Sequence, residues 1–224
     1  MKGKGTSLIL VFCLLWLRAG FAPAVSEEVP EAAARVEETL ARLEERMSAV
    51  QTLKGRFVQQ KHLAVLEQPL VLEGEIYMQK PTLFAWHVRE PLEYSMVIRD
   101  EVVRQWDEDT RRVQTVSLSK NPAFKLAIRQ MRSWFSGAYR SMLAEYEVTI
   151  LSEDPISLEF VPREGGFAKA AIESVTVVFE SDERYIREMR IVEKGGDSTL
   201  LTFLDTQLNG PIDASAWKVE PRVR

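Results

Sequence analysis

Hydrophobic positions along this chain follow two periods, and the switches between them mark its elements. Val36, Leu40, Leu43, Met47 and Val50 recur at spacings of four, three, four and three. One apolar stripe of that kind predicts a helix over Ser26 to Val50. Pro30 and Glu31 suit its first turn, and Glu37, Glu38, Arg42, Glu44, Glu45 and Arg46 form its solvated face. From Leu53 the period becomes two. Leu53 to Gln60 alternates loosely, and Pro69 to Gln79 alternates well. Leu70, Leu72, Ile76 and Met78 take one face there, and Glu73, Glu75, Tyr77 and Gln79 the other. After the turn Lys80-Pro81-Thr82, a strand over Leu83 to Arg89 puts Phe84, Trp86 and Val88 together. Further strands are predicted over Glu93 to Ile98, Val102 to Trp106 and Arg111 to Leu118, divided by Pro91 and by Asp107-Glu108-Asp109.

Asn121-Pro122 opens a second helical region. Phe124, Ile128, Met131 and Phe135 share its stripe, flanked by Leu126, Trp134 and Tyr139, and Gly137 is expected to divide it. The period then returns to two over Tyr146 to Leu151, Ile156 to Pro162, Ala170 to Glu180, Tyr185 to Glu193 and Thr199 to Thr206. Short, consecutive, turn-linked strands argue antiparallel pairing. The expected fold is therefore mainly β with α. A single antiparallel sheet of this many strands should curl and stay unclosed. Its one apolar face would line a concavity, its other face would be mostly charged, and the two helical regions would cover the hollow. No repeat or low-complexity linker interrupts the pattern, so residues 25–224 are expected to form a single domain.

The first 24 residues break this pattern. Lys2 and Lys4 precede the apolar run Leu8 to Leu17, and the small triplet Ala22-Pro23-Ala24 follows. A basic start, a short apolar core and small residues make a secretory signal. The run is about half the roughly 20 residues needed to span a bilayer. Cys13, the only cysteine, follows bulky Val11 and Phe12, which do not suit lipid modification. The full chain carries 29 basic and 33 acidic residues, a formal charge of −4. Removing the leader removes Lys2, Lys4 and Arg18 and no acid, and leaves an acidic, cysteine-free protein suited to a bacterial periplasm. That balance opposes a nucleic-acid partner. It also opposes loose electrostatic attachment to anionic bilayers and favours docking to proteins.

Candidate chemistry is sparse. Past the leader the histidines are His62, near a turn, and His87, next to Trp86 on the opposite face and so expected to point outward. No G-x-S-x-G elbow, G-x-G-x-x-G or phosphate loop is present. Glu73 and Glu75 resemble a hydrolase pair only in being close, and solvated acids explain them. Asp107 and Asp109 have too few companion ligands for calcium. No catalytic residue, metal or cofactor is expected. Binding is the better reading. Leu70, Leu72, Ile76, Met78, Phe84, Trp86 and Val88 make one wide apolar surface, which Met96, Ile98, Phe160, Val177, Phe179, Met189 and Ile191 extend. Those residues form either an ordinary core or the wall of a hollow.

A resemblance bears on that choice. Gly74-Glu75-Ile76-Tyr77-Met78-Gln79-Lys80-Pro81-Thr82-Leu83-Phe84-Ala85-Trp86 resembles the signature of the LolA family of outer-membrane lipoprotein carriers. Phe57-Val58-Gln59-Gln60 resembles that family's upstream strand. Leu208-Asn209-Gly210-Pro211-Ile212-Asp213, followed by Trp217, resembles its closing segment. The resemblance implies a half-barrel open on one side, with helices as a lid. It implies a periplasmic carrier, a monomer, that shelters acyl chains of lipoproteins or acylated lipids. Such a carrier receives cargo from an inner-membrane exporter and passes it to an outer-membrane receptor. The cavity would be walled by Leu70, Leu72, Ile76, Met78, Phe84, Trp86, Val88, Met96, Phe160 and Met189. The lid would comprise Lys80, Phe124, Ile128, Met131, Trp134 and Phe135, and its apolar residues would plug the unloaded hollow.

There are departures. The carriers have Arg before the signature Pro, tying barrel to lid, where this chain has Lys80. Lysine keeps the charge and loses the planar fork, so a looser or differently triggered lid is expected. The Phe124–Tyr139 region is long and aromatic, and the chain ends soon after Trp217. A glycolipid or another acylated product is therefore an alternative cargo. A lipid-sensing or envelope-assembly module on the same half-barrel, without transport, is the alternative role.

Overall fold

The computed structural model describes residues 31–219, apart from the side chains of Ala123 and Phe167. The expected leader and the start of the first predicted helix lie outside those residues. Helix α1 (Glu31–Ser48) is followed by β1 (Thr52–His62), β2 (Leu70–Gln79), β3 (Leu83–Glu90), β4 (Tyr94–Arg99), β5 (Val102–Asp107) and β6 (Val113–Ser117). Helices α2 (Pro122–Ser136) and α3 (Tyr139–Met142) come next. Then follow β7 (Tyr146–Glu153), β8 (Ile156–Pro162), β9 (Ile172–Phe179), β10 (Ile186–Glu193) and β11 (Ser198–Leu208). Single 3-10 turns occupy Leu118–Lys120, Phe167–Ala170 and Ala214–Trp217.

All eleven strands form one antiparallel sheet in the order β6-β5-β4-β3-β2-β1-β11-β10-β9-β8-β7. Each half is a meander of sequential hairpins, and β1 with β11 joins the halves. The sheet is unclosed: β6 and β7 are its two edges. Because the chain passes directly from β6 to β7 through α2 and α3, those helices have to cross the open side. The mainly β fold with helical covers is thus the one expected from periodicity.

The apolar face holds a continuous core. Leu40, Leu43 and Met47 of α1 enter it together with Phe57, Ile76, Phe84, Ile98, Leu158, Phe160, Val177 and Phe179. Gly137 ends α2 in the left-handed region (φ 86°), which a side chain disfavours. A Cβ there would also come within 2.8 Å of the Met47 Cβ. The break expected at that glycine therefore sits where α2 and α3 turn against α1.

The outer face departs from expectation. It carries a second, small apolar cluster of Ala85, Val97, Trp106 and Val219, with Tyr77 and Trp217 against it. His87, expected to be an outward surface imidazole, is 1% exposed. Its Nε2 donates to the Ala216 carbonyl (2.8 Å), so Nδ1 is left to accept from the Ser95 hydroxyl (3.0 Å). The face assignment is right. What alternation could not show is the C-terminal segment returning over that face and covering it. Asn209 anchors the return: its Oδ1 accepts from the Gln51 amide (2.7 Å) and its Nδ2 donates to the Ala49 carbonyl (3.1 Å).

Candidate functional site: an apolar hollow under a helical strap

Between α2 and the concave face lies a partly open cavity of about 650 Å³. The sheet lines it with Trp86, Met96, Val175, Met189, Ile191 and Leu201. The strap contributes Ala127, Gln130, Met131, Trp134 and Phe135, and Tyr146 closes one side. Ala168, Ala170, Ala171 and Ile172 line the end where β9 begins. Apart from Gln130, the Tyr146 hydroxyl and the indole N–H groups of Trp86 and Trp134, this lining is apolar. The larger groove between α1 and β7, about 1030 Å³, differs: Arg35, Glu37, Glu147, Glu153 and Arg163 border it. Charges of that density suit water, not hydrocarbon.

The aromatic rings show how the strap is seated. Phe57 stacks on Trp86 with centroids 3.8 Å apart. From α2, Phe135 reaches Phe84 (5.5 Å) on β3 and Phe203 (5.6 Å) on β11. Trp134 reaches Phe160 (4.8 Å) on β8 and Tyr146 (5.8 Å) on β7. Neighbouring residues of one helix therefore grip both halves of the sheet, and the hollow remains between them.

Of the residues expected to form the wall and lid, Trp86, Met96, Met189, Met131, Trp134 and Phe135 come together around the cavity. Ile76, Met78, Phe84, Val88, Phe160 and Ile128 are buried in the core behind it. Leu72 and Phe124 are partly buried against that core. Leu70 is 48% exposed at the first position of β2, beyond the reach of the strap, and is not part of the wall. The hydrophobic pattern does not single out Val175, Leu201, Tyr146 or the alanines around residue 170 as wall residues. Val175 lies two positions before Val177, and Leu201 falls within the strand predicted over Thr199 to Thr206, so alternation held the signal for them. The alanines left none, because hydrophobic pattern draws attention to large side chains while a void forms where they are small.

Lys80 does not join the sheet to the α2 strap. Its Nζ donates to the Met47 carbonyl (2.7 Å) at the end of α1, and partial burial lowers its pKa. The tie to α2 runs the other way. Arg132, on α2, donates through Nη2 to the carbonyls of Thr82 (3.1 Å) and Asp100 (2.8 Å), in the turns after β2 and β4. Burial lowers the Arg132 pKa, and the nearby Glu101 and Asp100 charges oppose that shift. Lys125 adds an ion pair to Glu101 (2.8 Å). Among the described residues no group of His, Cys, Asp and Glu is disposed to hold a metal. None of the described helices is long and apolar enough to cross a membrane.

An unclosed, curled sheet strapped by helices over an apolar hollow defines a class of half-barrel binding proteins. A family profile described as "Outer membrane lipoprotein carrier protein LolA" matches residues 48–220. The chain belongs to the LolA family. An outer-membrane lipoprotein carrier protein of Pseudomonas fluorescens is 25% identical over 174 residues, covering 76% of this chain and 78% of that protein. One from Pseudoalteromonas translucida is 20% identical over 180 residues, covering 79% and 80%. Among solved structures, an uncharacterized conserved protein from Thermus thermophilus has a TM-score of 0.51 at 11% identity, covering 84% of this chain and 96% of that one. The Pseudomonas aeruginosa MucA/MucB complex also gives 0.51, at 12% identity, covering 82% and 60%. These solved structures share the fold.

Proposed function

We propose that this protein is a periplasmic carrier that shelters the acyl chains of lipoproteins, or of other acylated lipids, between the inner and outer membranes. The observation that carries the reading is the apolar hollow beside Trp86, roofed by α2, in a chain of the LolA family. Its volume is within the range of ligand pockets. Sheltering hydrocarbon is worth about 0.8 kcal/mol per methylene, so roughly fourteen methylenes would give about 11 kcal/mol before costs. A rigid empty hollow would release such cargo slowly. Here Trp134 and Phe135 occupy part of the hollow, so cargo has to displace protein contacts and net affinity falls. Met96, Met131 and Met189 are flexible and polarizable, which suits variable packing around different chains. An inner-membrane exporter as donor, an outer-membrane receptor as acceptor, action as a monomer and the absence of catalysis complete the proposal.

The test is binding and transfer of a fluorescent fatty acid. Met96→Glu puts a charge in the hollow at a partly exposed position and should reduce binding about tenfold or more. Native affinity in that variant would place the site elsewhere. Ile76→Glu is unsuitable, since Ile76 is wholly buried and the change would unfold the sheet. A second reading rests on the fold shared with MucB, which is seen in complex with MucA. Under that reading the half-barrel binds lipid and engages another protein without transport. Lipid co-purified from the periplasm and passed to acceptor vesicles supports a carrier, whereas lipid retained supports the second reading.

A further inference from the structure

The most exposed large aliphatic side chains are not scattered over the molecule. Eight stand out among the described residues: Val65, Leu66, Leu70, Val71, Leu92, Val102, Val113 and Leu151. The strand register places six of them at one end of the half-barrel. Lys61 pairs with Leu70, Glu73 with Glu90, Tyr94 with Asp107 and Trp106 with Val113. The turns after β1, β3 and β5 therefore lie side by side, and these turns together with the strand residues that directly follow them carry every one of the eight except Val102 and Leu151. Val65, at the tip of the β1–β2 turn, is 87% exposed.

The hollow lies toward this same end. The Ala64 amide donates to Asp197 Oδ1 (2.8 Å), which joins the β1–β2 turn to the β10–β11 turn. The Lys194 amide donates to the Ala171 carbonyl (2.9 Å), which joins that turn to the alanine segment lining the cavity. The opposite end is closed, because Lys80 holds α1 there and Arg132 holds α2 there.

We propose that this rim is a membrane-facing surface, whose β1–β2 and β3–β4 turn tips insert Val65, Leu66 and Leu92 into the headgroup boundary of a bilayer beside the hollow, while the charged β5–β6 turn stays at its polar surface. The idea that lipid then passes between bilayer and hollow rests on the carrier reading, but insertion of the rim does not. The shape of the rim selects this occupant. Val65, Leu66 and Leu92 sit on two separate turns and Leu70, Val71 and Val113 on the strand ends beside them, a dispersed set and not one continuous surface shaped to a partner. A fluid bilayer needs no such complementarity. The exposed apolar side chains are all aliphatic, without the Trp and Tyr that dominate protein hot spots, and Arg111 and Arg112 flank only Val113. Nearby charges are of both signs and partly neutralised, as in the pairs Lys61–Glu193 (3.4 Å) and Arg89–Glu75 (3.0 Å). Attachment is therefore apolar, weak and reversible, which agrees with an acidic protein that has no electrostatic hold on anionic lipid.

The test uses the exported protein lacking residues 1–24, which then contains no native cysteine. Val65→Cys carries an environment-sensitive nitrobenzoxadiazole label, and Leu151→Cys, 53% exposed and at the other end, carries the same label as control. Vesicles of phosphatidylethanolamine and phosphatidylglycerol are added. Emission at residue 65 should rise about threefold and that at 151 should not change, with little response to salt. In a protein labelled at Leu92→Cys, the pair Val65→Ser and Leu66→Ser should reduce the rise about fivefold while fatty-acid binding stays native. No rise at residue 65, an equal rise at 151, loss of the signal in salt, or a rise only when an envelope protein is supplied would each overturn the proposal. Vesicle insertion without fatty-acid binding would end the carrier reading and leave the rim standing. Fatty-acid binding without insertion would do the reverse.

Discussion

At the scale of single residues, the signature glycine shows what a motif position is for. A Cβ on Gly74 would lie 2.0 Å from the His87 carbonyl oxygen and 2.6 Å from Phe57 Cζ. Phe57 crosses the strand at that point to stack on Trp86, so Gly74 leaves room for the ring that backs this wall residue of the hollow. Gly74→Ala should therefore cost about 3 kcal/mol, the upper part of the overpacking range, as read by urea denaturation. A loss under about 0.5 kcal/mol would mean that strand and ring shift freely. The alanines make the complementary case. Ala168→Phe would put a ring into space that now has none, and should weaken fatty-acid binding about tenfold with little change in thermal midpoint. Unchanged binding would show that cargo does not use that end of the hollow. The sequence made Gly74 visible as part of a motif but not its reason, because Phe57 and His87 meet it only through strand pairing. His87 was obscured likewise: its own strand placed its face, while its cover, Ala216, arrives from 129 positions away.

At the scale of elements, strands and helices were legible because each has its own apolar period, and bounds differ mainly where turns fray. Gly137 divides the second helical region as its position suggested. Which element holds which was not legible, since a cation in a turn reads the same whatever carbonyl it meets. Lys80 looked like the tie to the strap and instead secures α1, while Arg132, which the hydrophobic pattern does not single out, ties α2 to the turns of the sheet. The guanidinium that holds the lid grows from the lid itself and donates to two carbonyls in the turns of the sheet. Arg132→Ala should speed amide exchange in α2 and accelerate probe uptake several-fold, and Arg132→Lys should restore only part of the loss. Lys80→Ala should act on α1 exchange and leave uptake close to native. If Lys80→Ala alone changed uptake, the strap would be governed from α1.

At the scale of the whole molecule, two meanders meet at β1 and β11, and the chain that links their free edges is the strap itself. A strap anchored at both ends opens by losing contacts along its length, so the residues that seal its exit into β7 determine how far it can swing. Tyr139 and Tyr146 are at that exit. The Tyr139 hydroxyl donates to the Trp134 carbonyl (2.7 Å), and burial pushes its pKa far above the usual phenol value. Burial, helped by the charge of Glu145, pushes Tyr146 up to about 12. Tyr94 and Tyr185 are shifted upward as well, first by burial. When a folded group holds its proton more tightly than the unfolded chain does, its contribution is complete below the unfolded value, near 10, and is lost as pH rises towards the folded one. Stability should therefore fall steeply above about pH 10. Lys80 and Arg132, whose folded values are lowered, act in the opposite direction, but they are two groups against four. Replacing both strap-exit tyrosines by phenylalanine should flatten the decline between about pH 10 and 12. At neutral pH it should cost about 1–2 kcal/mol, because the buried Trp134 carbonyl loses its donor. Urea denaturation at stepped pH measures both quantities. An alkaline slope unaltered by the double substitution would show that these phenols are not sealed when the strap is down, and that the exit into β7 is already open in the unloaded protein.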